Sequence, residues 1–205
     1  MNISVFDPIS LIGAIAIIGD FLIPVIIAKK YKNYSHLRNT ISTLGTAKSP
    51  VKKQTSIWLI SQGILFVIFG IGQSLQFASF SWKHCLYIWG IIAFGIGAGI
   101  IAGIYPEDSK GVKETKNGKI HGIAAGLGFI FLIFNPLLAT GIKEFSGLEL
   151  VNTIFFVIGV LTFQVFILSG KNKKGILSFS GLWQKLNLVV LYSPLLTNYV
   201  SSKTL

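Results

Sequence analysis

The sequence predicts an all-α, polytopic membrane protein: a six-helix transmembrane bundle with both termini on the outer side. Hydrophobic residues make up 52% of the 205-residue chain and charged residues only 12%, against roughly 25% charged in an ordinary soluble domain. The apolar residues gather in runs of about 20, long enough at roughly 1.5 Å rise per residue to cross a hydrocarbon core of about 30 Å. Positive charge falls on alternate loops, which selects one orientation.

Six spans are expected over residues 8–28, 57–76, 86–105, 120–141, 150–169 and 181–200, in a single membrane domain covering 1–205. The loops 29–56, 106–119 and 170–180 then lie in the cytoplasm. The first span reads as a retained helix rather than a secretory signal, because residues 1–9 hold no Lys or Arg and the run ends at Lys29-Lys30 instead of a small-residue cleavage site. In the fourth span, residues 127–134 are continuously apolar. A β-barrel strand would alternate instead, so the backbone must bond within helices. The loops between spans are too short for a soluble catalytic domain, which leaves any chemistry to the helices and their connections.

All but three of the eighteen Lys and Arg residues sit in the three cytoplasmic loops or at the start of the sixth span; Lys83, Lys143 and Lys203 lie opposite. This bias orients the chain N-out and C-out in an inner, cytoplasmic membrane. The net charge of +11 therefore reflects topology and attraction to anionic headgroups. A nucleic-acid partner would need a folded basic face or a stacking platform, which these loops do not offer. Membrane lipid is the expected partner.

One cysteine, Cys85, permits no intrachain disulfide and no Cys-based metal site. Three scattered histidines, His36, His84 and His121, lack the paired arrangement of a membrane haem protein. No cofactor or metal is expected.

Within the spans, Asp20 is the single acidic residue well inside a helix. A charge near mid-bilayer costs roughly 2.5 to 3.5 kcal/mol on insertion scales, so Asp20 should face the bundle interior. Pro24, one turn on, frees a carbonyl that would help line a polar cavity. Two readings stand: a proton-active or substrate-binding carboxylate, or a protonated Asp bonded to a neighbour such as Gln62 or Gln164. The Gly95, Gly97, Gly99 and Gly103 series of the third span, continued by Gly122, Gly126 and Gly128 in the fourth, suits close helix packing. Asn135-Pro136 is expected to interrupt the fourth span.

The loops carry more specific chemistry. Leu37, Ile41 and Leu44 recur at helical spacing between polar residues, as in a short helix lying on the membrane surface. Pro106 ends the third span and leaves Glu107 and Asp108 at the interface, while Lys119-Ile120-His121-Gly122 opens the fourth. Topology alone puts Ser42, Asp108 and His121 near one face, the residue types of a hydroxyl nucleophile, an orienting carboxylate and a base. Asp108 capping its loop and His121 meeting a headgroup phosphate is the plainer alternative. A His–Asp metal site lacks enough ligands.

Ile41-Ser42-Thr43-Leu44-Gly45, Gly103-Ile104-Tyr105-Pro106-Glu107-Asp108, Lys119-Ile120-His121-Gly122 and Gly181-Leu182-Trp183-Gln184-Lys185, in this order, resemble the bacterial six-helix membrane family known as domain of unknown function 998. Tyr105 stands where that family is expected to have Phe, and Lys185 where it is expected to have Arg, whose bidentate contacts Lys cannot reproduce. The resemblance implies the fold and marks Ser42, Asp108, His121 and Gln184. It implies no activity.

Three functions follow. Ser42, Asp108 and His121 would bind or process a lipid or isoprenoid headgroup at the cytoplasmic face, as a hydrolase or transferase, with Asp20, Arg38, Gln184 and Lys185 contacting the substrate. Alternatively the bundle is a proton-coupled transporter using Asp20, or a noncatalytic assembly or lipid-sensing partner. The first is preferred, because the polar residues gather at headgroup level rather than along a path through the bilayer, and little beyond one proline aligns between the two halves.

Overall fold

The structure, a computed structural model, describes residues 7–77, 81–109, 111–171 and 174–201. Lys110, Lys173 and Lys203, counted above in the charge asymmetry, lie outside them, as do residues 1–6 of the first span's leading segment.

Six long helices follow one another: α1 (Pro8–Ala28), α2 (Lys52–Gln73), α3 (Trp82–Ile104), α4 (Lys116–Ala139), α5 (Glu149–Lys171) and α6 (Ser180–Ser201). Among the described residues there is no strand. The first five are long and apolar enough to cross a membrane, and the chain is a multi-pass membrane protein. The sixth is 22 residues long but carries Gln184, Lys185, Asn187 and Asn198, which lower its hydropathy.

Local chemistry sets the helix starts. Asp7 caps α1, its carboxylate accepting from Ile9 N–H at 2.8 Å and Ser10 N–H at 2.9 Å, with Pro8 in the first turn. At α4 the Thr115 hydroxyl accepts from Gly118 N–H at 3.1 Å. Three helices begin before their apolar runs: α2 at Lys52 rather than 57, α3 at Trp82 rather than 86, and α4 at Lys116 rather than 120. Caps and polar first turns extend each helix beyond the hydrocarbon signal that hydropathy detects.

Helix α3 lies between α2 and α4, α1 packs on α2, and α5 packs on α6 and α4. Glycines permit the tightest contacts. A Cβ on Gly99 would come within 2.4 Å of Gly63 Cα, and one on Gly97 within 2.3 Å of Ala124 O. Here α3 widens into a π-helical stretch, Gly95–Ile101, a winding often found at functional sites. Tyr192 is central to the core, its ring 5.3 Å from Phe66, 5.8 Å from Phe94 and 6.1 Å from Phe21. Amides tie α5 to α6. Asn152 and Asn198 exchange side-chain hydrogen bonds of 2.9 and 3.1 Å, and the Asn187 amide donates to Gly159 O at 3.1 Å. Exposed Leu11, Ile15, Ile18 and Leu22 along α1 form the kind of apolar exterior that lipid, not water, covers.

Two expectations change. Asn135-Pro136 does not interrupt the fourth helix, which runs on to Ala139. Asn135 is 1% exposed and donates to Tyr87 O at 2.7 Å, joining α4 to α3. The segment around residues 37–44 is not a surface helix. It is a set of turns ending in a 3-10 helix, Ser42–Gly45, with Ile41 and Leu44 fully buried and Leu37 exposed, because its polar backbone finds partners on α6 and is drawn onto the bundle.

Candidate functional site

The lysine-rich ends of the helices close around the first loop. Ser180 Oγ donates to Arg38 O at 2.7 Å, Leu182 N–H to Leu37 O at 2.9 Å, and Lys185 Nζ to His36 O at 2.9 Å. In return Ile41 N–H donates to Gln184 Oε1 at 2.6 Å. Gly181 admits this approach, since a Cβ there would meet Asn39 O at 2.1 Å. Within the loop, the Tyr34 hydroxyl donates to Asn39 O at 3.2 Å and Thr40 O at 3.1 Å. Burial pushes the Tyr34 hydroxyl pKa up, and burial followed by the nearby Lys185 ammonium holds the His36 imidazole below its usual value.

Beneath this loop lies a cavity of about 250 Å³. Ser42, Glu107, His121 and Gln184 line its loop end; Phe94, Phe129, Phe163 and Phe166 form apolar walls, and Asp20 and Gln62 line it farther down. A smaller hollow of about 30 Å³ continues from it and shares Ser42, Glu107 and His121. That volume suits a single water.

Small residues hollow out the α4 wall. Gly122, Ala125 and Gly126 line the cavity, and a Cβ at Gly122 or Gly126 would meet nothing within 4 Å. These two glycines therefore do not pack helices, unlike Gly128, Gly97 and Gly99. Gly122 and Ile167 are exposed and Gly126, Phe163 and Phe166 half-buried, so the cavity opens sideways between α4 and α5.

His121 is 5% exposed. Its Nδ1–H donates to Tyr105 O at 2.9 Å and Ala102 O at 3.1 Å; carbonyls only accept, so Nδ1 carries the proton in the neutral ring. Nε2 is then an acceptor, without a protein partner, on a side chain that lines the cavity. Asp20, 3% exposed, accepts from the Tyr192 hydroxyl at 2.8 Å, and Gln62 Nε2 donates to the same hydroxyl oxygen at 3.3 Å. Tyr192, rather than Gln62 or Gln164, is thus the direct partner; Gln164 points outward.

The structure brings Ser42, His121, Gln184 and Asp20 to one cavity and leaves the other marked residues outside it. Asp108 accepts from Thr115 N–H at 2.7 Å and from Thr115 Oγ1 at 2.8 Å, a loop-capping arrangement, and backbone carbonyls orient His121 instead. Glu107, its neighbour, is the carboxylate that lines both hollows. Arg38 is exposed with its guanidinium 5.8 Å from the Phe179 ring, and Lys185 Nζ donates to His36 O of the loop and to Gly181 O of its own helix. The sequence puts Glu107 at the interface beside Pro106 but gives it no role. The signal for the aromatic walls was absent, since apolar residues in a membrane helix look alike whether they face lipid or a cavity. Among the described residues, no three His, Cys, Asp or Glu side chains gather to hold a metal ion.

No curated protein and no solved structure matches the chain. A family model described as protein of unknown function (DUF998) matches residues 14–197, nearly the whole chain and every element of the cavity, and the chain belongs to that family.

Proposed function

We propose that the protein spans the cytoplasmic membrane six times, N-out and C-out, and binds a lipid- or isoprenoid-like amphiphile at its cytoplasmic end. The carrying observation is the two-part cavity: a polar end at Ser42, His121 and Gln184 that grades into four phenylalanines and opens sideways between α4 and α5. An amphiphile fits such a surface because its chain replaces water against the rings while its head meets the polar groups. The orientation is supported by the charge bias, which puts that polar end beside the lysine-rich loops.

Processing of the bound molecule is the next step in the same reading. His121 Nε2 would supply a base from α4 and Ser42 a hydroxyl from the first loop, both lining the same cavity, the pair of groups that acyl or phosphoryl transfer requires. Native mass spectrometry of the purified protein tests binding. A stoichiometric amphiphile is expected on the unaltered chain and lost in Gly126→Phe, whose ring would fill the cavity. An empty unaltered protein contradicts the proposal. Turnover, where a product is seen, should disappear in Ser42→Ala while binding persists.

Asp20 favours a second reading, a proton-coupled transporter, because a carboxylate in the lower part of the cavity is placed to exchange protons with a passing ligand. Uptake into vesicles that is lost in Asp20→Asn and unaffected by Ser42→Ala would select it.

A further inference from the structure

Gln164 projects from the side of α5 that faces away from the bundle, and its amide makes no side-chain hydrogen bond to any described residue. Helix α5 is 23 residues long, about 35 Å at 1.5 Å per residue, so its ends reach both interfaces of a hydrocarbon core of about 30 Å. Gln164 stands seven residues before Lys171, roughly 10 Å along the axis and inside that core. Two methylenes cannot carry its amide to the headgroups as a lysine stem can. The other exposed amides of the six helices among the described residues, Gln54 and Asn117, fall in first turns at lysine-bearing helix ends. An amide that meets only hydrocarbon leaves its donors and its acceptor unpaired, a costly arrangement.

Apolar surface alone argues for no partner here, since lipid covers it as well as protein does. The pattern around Gln164 is more specific. Leu150, Ile154, Val157, Leu161, Gln164 and Leu168 are all exposed and follow one another in steps of four and three, the heptad spacing that lets one helix lie along another in a left-handed twist. At 100° per residue this seam is opposite the buried Asn152 and Gly159 and the cavity-lining Phe163, so covering it leaves the opening between α4 and α5 free. Helix α5 is also the span most open to a neighbour: 11% of its apolar stretch is buried in the bundle, against 33% or more for the other four apolar spans.

Copies inserted the same way round present Gln164 at the same depth. Across a twofold axis each amide gives an N–H to the other's oxygen, so one residue supplies both halves of the match. An unrelated helix would need a polar group of its own at that depth. A single polar residue in an apolar seam also fixes register and stoichiometry. We propose that the protein is a homodimer joined along α5, with Gln164 of the two copies exchanging amide hydrogen bonds within the seam.

The test oxidises single-cysteine variants of the full chain, each carrying Cys85→Ser, in native membranes. Disulfide-linked dimers are expected for Leu161→Cys and Gln164→Cys and not for Ile18→Cys, an exposed position on α1. In detergent, the dimer measured on dilution of the purified chain should be weakened roughly 3- to 30-fold by Gln164→Leu, the range that interhelical side-chain hydrogen bonds supply in membranes. Gln164→Asn, which keeps an amide, should recover part of that loss. A monomeric chain without seam cross-links, as when lipid or a different membrane protein covers α5, overturns the proposal. So does cross-linking at Ile18→Cys equal to that at the seam, which marks random collision, or a dimer whose strength Gln164→Leu leaves unchanged.

Discussion

Gln184 Oε1 accepts the backbone N–H of Ile41 at 2.6 Å across 143 residues of sequence, tying the start of the last helix to the first loop. Both groups are buried. The bond holds the neighbouring Ser42 at the mouth of the cavity, so a side chain marked by the family resemblance acts here on the loop's backbone.

Gln184→Ala should therefore strand a buried amide. The expected loss is about 1–3 kcal/mol of stability, seen as a lower unfolding midpoint in detergent. Gln184→Glu, which keeps an acceptor oxygen, should recover part of it.

Gly181→Ala should destabilise by a different route. Its methyl would overlap Asn39 O and His36 O, backbone atoms that cannot swing aside, so the loop must lift from α6. A cost of about 1–3 kcal/mol is expected from overpacking, together with faster proteolysis between α1 and α2.

Asp108→Ala separates capping from chemistry. It removes the acceptor for Thr115 N–H and Oγ1 and should lower stability by on the order of 1 kcal/mol, as loss of a helix cap does. Amphiphile retention by native mass spectrometry should be unchanged, whereas an Asp108 that orients the His121 base would lose turnover in proportion to that role.

Tyr192→Phe removes the donor to Asp20 inside the core. A buried carboxyl group left without its partner should cost about 1–3 kcal/mol or more. The double variant Tyr192→Phe with Asp20→Leu should be less destabilised than the sum of its parts in the same melting assay.

The helices were legible because lipid demands a long apolar run from every span, and the gathering of Ser42 and His121 followed from counting crossings. Asp20's inward position was legible for the same reason. The helix starts were less so, because the caps at Asp7 and Thr115 and the polar first turn of α2 lie outside the apolar signal. The fate of Asp108 was hidden, since Glu107 and Asp108 are neighbours of one charge and only the turn to Thr115 decides which faces the cavity. Gly122 and Gly126 misled for a related reason: the glycine spacing that lets helices touch also leaves a void when no helix comes close.

The central claim is that Ser42 and His121 face one cavity. Cysteines placed at both positions, in a chain with Cys85→Ser, test it through a short bifunctional thiol reagent applied to membranes. Intramolecular cross-linking is expected for the pair, and none for Ser42→Cys combined with a cysteine at Gln164 on the outer face of α5. Both cysteines reacting singly, with no cross-link between them, would contradict it.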